Sequence, residues 1–434
     1  MFFTALEQLY NFIWEYIGFS LIIATGAYFT IISRSFQLRR FPAILRHLLS
    51  SFKPDSGEET GLHPLKTLVT ALGGSIGLGN VVGICTAIQI GGPGALFWTW
   101  VTGFLGMLLI YSEVYLGMVY RVSDPKGGFS GGPMYFLSKA FKSKKLIPVL
   151  AALFLCIYGV EIFMFNVVSD SVSTNWHLNK TAVAGGLLLL VLFATHGGIK
   201  RVSKICTTIV PIYLGIYLLM NFWVLLQNLP LLPAAFAMIV KSAFTSQAAI
   251  GGFAGSTVML TIAMGISRGA YAGDIGIGYN SVIHAETSSP HPHKQASLTI
   301  FGVFLSTFVV CTISTLLVLI TGAWSEPIDV TLMVQAALSR YFPFMDYFMP
   351  IFLFLLGYLT ITTYFMMGQK CARFLSPKHG KKFYYLYAAI ALPLFTFVNA
   401  TQAFIVMSLT GALLLVMNLI GIFLLRKEIR FEID

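Results

Sequence analysis

A glycine-rich stretch with one amide side chain lies inside a hydrophobic run at residues 73–94, which read GGSIGLGNVVGICTAIQIGGPG. Glycine costs roughly 1 kcal/mol in a helix interior relative to alanine, so we expect a helix through Gly77, Gly79 and Asn80 to break. Backbone groups freed from a helix inside a membrane must be satisfied by protein, water or a bound solute. Opened amides suit an anionic group, and opened carbonyls suit an ammonium group or a hard cation. The stretch therefore predicts a binding site for a charged solute.

The elements that must position this stretch are membrane helices. The 434-residue sequence is 56% hydrophobic and 10% charged, which is typical of a polytopic membrane protein. Windows of about 20 apolar residues predict eleven spans. These lie at 11–33, 67–90, 95–119, 147–170, 181–197, 205–226, 248–282, 296–322, 343–367, 383–398 and 403–425.

Lysine and arginine residues are distributed unevenly over the loops between these spans. All but three of the 28 fall on loops or span ends of one face, and the exceptions are Lys180, Lys241 and Arg340. Because basic loops stay in the cytoplasm, we expect a multi-pass protein of the cytoplasmic (inner) membrane with its N-terminus outside and its C-terminus inside. This placement in the lipid bilayer explains the net charge of +11 without a nucleic-acid partner.

The glycine-rich interruption returns in span seven, where residues 251–278 include eight glycines. Spans two and seven lie five spans apart, so two sets of five spans are expected, the second upside down, and paired breaks of this kind indicate a transporter site near the membrane midplane. We expect one transporter domain over residues 1–434. Its parts are an extra helix and basic loop at 1–66, two repeats at 67–226 and 246–425, and a short cytoplasmic tail at 426–434.

Span seven offers two places for its break, 251–256 and 265–269. The second leaves a half-helix on each side, and we expect it to line the site at the midplane.

Residues 77–107, GLGNVVGICTAIQIGGPGALFWTWVTGFLGM, resemble the signature of the alanine or glycine:cation symporter family. Shorter matches follow in order along nearly the whole chain, including GGPMYF at 131–136, GGIKRVSK at 197–204, GISRG at 265–269, HAE at 284–286 and GQKC at 368–371. The resemblance implies an all-α, leucine-transporter-like fold with a 5+5 inverted repeat preceded by one extra helix. It also implies uptake of a small neutral amino acid (alanine, glycine or D-alanine) with Na+ as the coupling ion and no other cofactor.

The candidate site combines the predicted breaks with positions taken from the resemblance. The substrate-binding candidates are Gly77, Gly79, Asn80, Asn166, Gly265, Ser267 and Tyr364. The resemblance places a sodium ion between spans two and nine, where Gly77, Gly357 and Thr360 offer oxygen ligands. Gly357 and Thr360 are three residues apart and so share one helix face. A threonine hydroxyl can instead bond back to its own helix, and both interpretations of Thr360 stay open.

Three positions depart from the family pattern. Asn166 stands where a glutamine is expected, Tyr364 where a tryptophan is expected, and GDIG at 273–276 where Asn-Glu-Ala-Gly is usual. A shorter amide and a tyrosyl hydroxyl reshape the pocket, so the choice among small amino acids stays open. Asp274 keeps the carboxylate of the third position, and we expect it to pair with Arg268 in an inner gate.

Acidic residues within the spans bear on the remaining classes of function, because an ionisable group in hydrocarbon is costly and suggests function by default. Glu161 is a candidate ligand for a second cation or for a proton, which keeps a proton-coupled carrier of another small metabolite as the alternative. Glu113 is equally consistent with gating and with a structural pair to a loop lysine. An enzyme is not expected, because the few ionisable residues do not cluster in the sequence. A transporter-like nutrient sensor is a remote alternative, and the oligomeric state is left open.

Overall fold

The computed structural model describes residues 6, 8–9, 12–52, 60–124, 127–142, 145–245, 258–398 and 400–433. Up to residue 242 the described chain forms a π-helical turn (Ile13–Gly18), α1 (Phe19–Ile32), α2 (Phe36–Arg39), α3 (Phe41–Ser50), α4 (Pro64–Ser75), a π-helical turn (Gly79–Gly83), α5 (Ile84–Gly91), α6 (Ala95–Val119), β1 (Val122–Ser123), β2 (Phe129–Ser130), α7 (Pro133–Ala140), α8 (Leu146–Tyr158), α9 (Ile162–Trp176), α10 (Lys180–His196), α11 (Gly198–Gln227), a 3-10 turn (Leu229–Leu231) and α12 (Leu232–Ser242).

The rest of the described chain is helical too. It forms α13 (Val258–Gly273), α14 (Tyr279–His284), α15 (Pro292–Val303), a π-helical segment (Phe304–Cys311), α16 (Thr312–Ile320), a 3-10 turn (Ala323–Ser325), α17 (Val330–Ser339), α18 (Met345–Leu375), α19 (Gly380–Thr396), α20 (Ala400–Leu424) and a 3-10 turn (Arg426–Glu428). The two short strands pair antiparallel, with Val122 opposite Ser130.

Six helical stretches of the described residues are long and apolar enough to cross a membrane, and a bent pair makes a seventh. The six are Ala95–Val119, Leu146–Trp176, Gly198–Gln227, Pro292–Ile320, Met345–Leu375 and Gln402–Leu424. Shorter apolar helices include Tyr16–Ile32 and Lys180–His196. Helix is present in each of the eleven predicted segments, and the exact number of spans stays a prediction.

The segments that connect the helices contact one another at two opposite ends of the bundle. At one end, which we call the basic face, the hairpin β1–β2 meets the residues after α14, and the Tyr120 hydroxyl bonds to Glu428. At the other end, the opposite face, the amide of Asn228 bonds to the Tyr341 hydroxyl at 2.8 Å and the Trp98 indole donates to the carbonyl of Ala243 at 3.1 Å. These ends match the two sets of loops that the alternating spans predict.

The broken helix predicted at span two is confirmed. Helices α4 and α5, with the π-helical turn before α5, meet at 51°. Residues 76–78 lie between them, and Ile76 leaves helical geometry with φ −88° and ψ 82°. The glycine-rich stretch therefore interrupts a membrane helix.

The break expected at Gly265–Gly269 in span seven is wrong. Helix α13 is continuous from Val258 to Gly273, and the chain leaves the helix at residues 274–278 instead. Both glycines serve close packing, because a Cβ on Gly265 would lie 2.4 Å from the carbonyl oxygen of Ala95 and one on Gly269 would lie 2.9 Å from the Cβ of Thr102. Small residues let membrane helices approach closely, and here they bring α13 against α6. The other expected place, 251–256, lies outside the described residues.

This packing makes Gly265→Ala strongly destabilising. The added methyl group must displace the backbone of α6, and overpacking of this kind costs about 1–3 kcal/mol. Gly215→Ala is the matched control, because a Cβ there meets nothing within 4 Å and alanine is the better helix former by roughly 1 kcal/mol. Thermal unfolding in detergent is expected to show a lower midpoint for Gly265→Ala and an unchanged or higher one for Gly215→Ala. An unchanged midpoint for Gly265→Ala would contradict the close contact.

Glu113 contacts a helix end and not the loop lysine that we considered. One carboxylate oxygen accepts a hydrogen bond from the backbone amide of Ser281 at 3.2 Å, and the residue is fully buried. Ser281 lies in the first turn of α14, where a negative charge is favourable. Glu113 therefore stabilises the half-helix that follows the break in span seven.

Candidate substrate and cation site

A closed cavity lies where the interrupted helices of spans two, four and seven meet α18. Its volume is about 10 Å³, roughly the room that one water molecule needs. The residues that line it are Gly74, Ser75, Gly77, Gly79, Asn80, Glu161, Met164, Tyr271, Asp274, Thr360 and Tyr364. Six of the predicted site residues are therefore brought together: Gly77, Gly79, Asn80, Asp274, Thr360 and Tyr364.

Asn80 holds the break of span two in place. Its side-chain oxygen accepts a hydrogen bond from the amide of Gly77 at 3.1 Å. Its side-chain nitrogen donates to the carbonyls of Ala272 at 3.1 Å and Ser306 at 3.3 Å. One buried amide thus links the opened backbone of span two to the end of α13 and to span eight.

Thr360 reaches across from α18 to the same break. Its hydroxyl donates to the carbonyl of Gly74 at 3.3 Å, and a Cβ on Gly77 would lie 2.7 Å from the hydroxyl oxygen. This contact favours an inter-helix role over a bond back to its own helix. Gly357 lies one turn earlier and packs against Val168, whose Cγ2 would be 2.1 Å from a Cβ there. Gly77 and Thr360 of the predicted cation set therefore meet, and Gly357 lies outside the residues that line the cavity.

Two carboxylates reach the cavity from helix breaks. Glu161 precedes α9 with φ +54°, and Asp274 follows α13 with φ +55°. The break at 159–161 divides span four into α8 and α9, which the sequence analysis did not predict. Left-handed backbone at a residue other than glycine is uncommon and is concentrated at functional sites. Glu161, which the sequence suggested as a ligand for a second cation or for a proton, thus belongs to the cavity.

Tyrosine side chains enclose the carboxylate of Asp274. The hydroxyl of Tyr364 donates a hydrogen bond to Asp274, and the rings of Tyr364 and Tyr279 stack with centroids 4.1 Å apart. The hydroxyl of Tyr279 in turn donates to the carbonyl of Ala71 at 3.2 Å. The position that departs from the family's tryptophan therefore supplies a hydroxyl to the neighbouring acid.

A larger cavity of about 500 Å³, which we call the vestibule, leads from the opposite face toward the closed cavity. Gly79 and Tyr271 line both, and a Cβ on Gly79 would lie 2.9 Å from the Tyr271 ring. The contact between these two residues therefore separates the vestibule from the closed cavity.

The structure places Arg268 and Asp274, the residues of the expected inner gate, in two different cavities. Arg268 and Ser267 line the vestibule, and the guanidinium of Arg268 lies 4.5 Å from the centroid of the Phe404 ring. Asp274 lines the closed cavity. Arg268 therefore lies on the side of the opposite face and not of the basic face. The reason is that α13 starts near the opposite face and stays helical past Arg268.

Two further substrate-binding candidates lie away from both cavities. The Asn166 amide donates to the carbonyls of Phe395 at 3.0 Å and Val398 at 2.7 Å, and its oxygen accepts from Lys180 at 3.3 Å. The carbonyl of Gly265 accepts from the Thr99 hydroxyl at 3.0 Å within the contact between α13 and α6. Their contacts link helices to one another in this conformation.

A buried ion pair closes the basic face. Lys370 pairs with Glu286, and their side chains are only 6% and 5% exposed. The Lys370 ammonium also donates to the carbonyl of Phe129, and the amide of Phe129 donates to Glu286 at 3.3 Å. The pair thus connects α18, the hairpin and the residues after α14.

Arg121 reinforces this closure. Its guanidinium donates to the carbonyls of Ala285 at 3.0 Å, Thr287 at 2.7 Å and Ser289 at 3.0 Å. Burial lowers the pKa of the guanidinium, and the nearby carboxylate of Glu286 opposes that shift. Glu286 and Lys370 belong to motifs that carried the family resemblance, but their pairing, and the contacts of Arg121 beside it, were not predicted.

Comparisons with known proteins find similar sequences along nearly the whole chain. The model of the "Sodium:alanine symporter family" matches residues 1–433. The chain is 32% identical to the uncharacterized transporter YflA of Bacillus subtilis (strain 168) over 98% of this chain and 91% of that protein. It is 31% identical to the sodium/alanine symporter AgcS of Methanococcus maripaludis over 98% of this chain and 95% of that protein.

A solved structure shows the same fold. The crystal structure of MhsT in complex with L-phenylalanine matches with a TM-score of 0.59 and 13% identity, covering 83% of this chain and 89% of that one. The fold is the all-helical, leucine-transporter-like architecture that the resemblance implied.

Proposed function

The chain belongs to the sodium:alanine symporter family, and we propose that it imports small neutral amino acids, alanine and glycine among them, in symport with sodium ions by alternating access. Membership makes it a multi-pass membrane transporter and not an enzyme. The basic face lies in the cytoplasm in this proposal, because basic loops are retained there. The vestibule then opens to the outside of a cytoplasmic (inner) membrane, with the N-terminus outside and the C-terminus inside.

The observation that carries the proposal is the meeting of Thr360 with the opened backbone of span two. A hydroxyl and backbone carbonyls are the neutral oxygen ligands that a hard cation accepts, and here Thr360 lies against both Gly74 and Gly77. We assign the coupling sodium ion to this place, with Gly77 and Thr360 as ligands. Gly357 stays a ligand candidate only if α18 shifts when the ion binds.

The substrate has its place beside the sodium ion in this proposal. The amide of Gly77 is held by Asn80, so the amides opened after it, near Gly79, receive the carboxylate of the amino acid, and Tyr364 borders its side chain. A volume of about 10 Å³ is too small for an amino acid, so Tyr271 must move off Gly79 when substrate enters from the vestibule. Ser267 and Arg268 line the route to this point. Asn166 and Gly265 stay sequence predictions, and Asn80 is assigned to positioning the break.

The chain is divided into two repeats in this proposal. Residues 67–226 and 246–425 each begin with an interrupted helix, and the two interruptions meet at the cavity. Residues 1–66 add one helix and the basic loop, and 426–434 form the tail.

Uptake into proteoliposomes tests the proposal. Labelled glycine, L-alanine and D-alanine are offered under an inward sodium gradient, an inward proton gradient, or neither, with empty liposomes as the control. We expect accumulation of at least one of the three under the sodium gradient alone. Uptake driven by protons alone would instead favour the proton-coupled alternative, which the presence of Glu161 in the cavity supports. Absence of uptake for all three would refute the proposed substrate class.

A further inference from the structure

Two acidic side chains share the closed cavity, at the place where membrane helices are interrupted. Glu161 and Asp274 are 1% and 3% exposed, and both line this cavity. Within the described chain, one oxygen of each carboxylate, Oε2 of Glu161 and Oδ2 of Asp274, has no hydrogen-bond partner by distance and angle. Buried polar atoms are normally satisfied. Two such oxygens, on acids that line one cavity, indicate a ligand that they would coordinate.

The charges around this pair are unbalanced. The described residues that line the cavity include two acids and no basic side chain. The two carboxylates repel each other. The other titratable groups that interact with them are the carboxyl of Glu113 and the hydroxyls of Tyr158, Tyr271, Tyr279, Tyr364 and Tyr384. Arg268 acts on Tyr271 from the vestibule side, where it stacks on Phe404. Uncompensated charge inside a membrane is costly, so a cation between the carboxylates would stabilise the arrangement.

The backbone holds both acids in place at some cost. Each has left-handed φ, +54° for Glu161 and +55° for Asp274, and such residues are strained and persist only where their surroundings fix them. The Tyr364 hydroxyl orients the other oxygen of Asp274, and the Ser75 hydroxyl also faces this carboxylate. The pair is thus built into two separate helix breaks, and its oxygens face the cavity together.

We propose that Glu161 and Asp274 form a second cation site, which binds a sodium ion beside the one assigned to Thr360. This inference rests on the proposed sodium symport and goes beyond it. The two sites differ in chemistry, because the Thr360 site offers neutral oxygens and this one offers two carboxylates with the hydroxyl of Tyr364. At about 10 Å³ the cavity has no room for a hydrated divalent ion, which gives up its water reluctantly, and it must widen as Tyr271 moves for both sodium ions and the substrate to bind. Two sodium ions then move with each substrate molecule.

Counting bound sodium tests the proposal without relying on transport. Purified protein in detergent is titrated with radioactive sodium, and bound ions per chain are compared at the lowest sodium concentration that saturates the unchanged protein. We expect two ions for the unchanged protein, one each for Glu161→Gln, Asp274→Asn and Thr360→Ala, and none for Glu161→Gln combined with Thr360→Ala. The two amides preserve side-chain size, and asparagine tolerates left-handed backbone. Thermal unfolding checks that each variant is folded, and if Glu161→Gln is not, Asp274→Asn and the count for the unchanged protein carry the test.

The outcomes separate the two proposals. One ion in the unchanged protein, lost in Thr360→Ala and kept in Glu161→Gln, overturns the second site and leaves sodium symport intact. No bound ion in the unchanged protein overturns the proposed function itself. Calcium is added as a competitor for the ion that is absent in Glu161→Gln. If calcium displaces this ion at concentrations far below those of sodium, the assignment to a monovalent ion is overturned.

Discussion

Thr360→Ala is expected to raise the sodium concentration that half-saturates amino-acid uptake by about 10- to 100-fold. A hydrogen-bonding contact with a charged group contributes about 1.5–3 kcal/mol, and each 1.4 kcal/mol is a factor of ten in affinity. The hydroxyl of Thr360 is a side-chain oxygen that extends from α18 to the broken part of span two, where it reaches the carbonyl of Gly74 at 3.3 Å. The measurement is a sodium titration of uptake into proteoliposomes at a fixed substrate concentration.

Two matched variants separate ion binding from helix stability. Thr360→Ser keeps the hydroxyl and is expected to keep sodium affinity within a few-fold of the original. Thr362→Ala removes an equally buried hydroxyl that bonds back to its own helix, to the carbonyls of Tyr358 at 2.9 Å and Leu359 at 3.0 Å, and should leave the sodium titration unchanged. A normal sodium titration for Thr360→Ala, or an equal shift for Thr362→Ala, would remove Thr360 from the cation site.

Much of the fold could be predicted because membrane helices are a local property of the sequence. Hydrophobic windows and loop charge act on each span separately, and helix is found in every predicted segment. Glycine is less informative, since it permits both a break and a close helix contact. Gly77 lies at a break because Thr360 crosses there, whereas Gly265 lies in an intact helix because α6 packs against it. Only the partner helix distinguishes the two uses.

The site could be predicted in part for the same reason. Gly77 and Asn80 belong to a strong motif, the resemblance implied the place of Thr360, and the structure brings all three to one cavity. Glu161 was harder to assign because its position depends on a break in span four that only Gly159 signals in the sequence. Asn166 follows that break by more than one helical turn, and it contacts the end of α19. Because the break in span four was not recognised, the helix face on which each following residue lies was assigned wrongly. Glu161 lines the cavity, and Asn166, which was expected there, does not.

The closure of the cavity differs between the two faces. Toward the vestibule it consists of Tyr271 against Gly79, a contact that a ring rotation can release. Toward the basic face it includes the Lys370–Glu286 ion pair and the three bonds of Arg121 to backbone carbonyls. Alternating access requires both to open in turn. The basic face must therefore separate buried charges, and that step is expected to be the more costly one.

Breaking one side of the Lys370–Glu286 pair is expected to shift the protein toward a state open at the basic face. Removing one partner of a buried ion pair leaves an uncompensated charge and costs about 3–5 kcal/mol, which is on the order of a hundredfold or more in the closed-to-open equilibrium. The reporter is Val282→Cys in a background without the native cysteines. Val282 is fully buried and contacts Gly132 beside the hairpin. Its reaction with a soluble maleimide in nanodiscs should become at least tenfold faster in Lys370→Met and in Glu286→Gln.

Because the Lys370–Glu286 pair is buried, two control variants can be designed for the labelling experiment. Replacing both partners together, Lys370→Met with Glu286→Leu, removes both charges, and apolar substitutes for a buried ion pair are often neutral or stabilising. Slow labelling should therefore return. The Arg340–Glu326 pair at the opposite face is 39% and 42% exposed, so Glu326→Gln should leave labelling unchanged, since exposed pairs contribute about 0–1 kcal/mol. If the single variants label as slowly as the reporter alone, or the double variant as fast as the single ones, the ion pair does not hold the basic face closed.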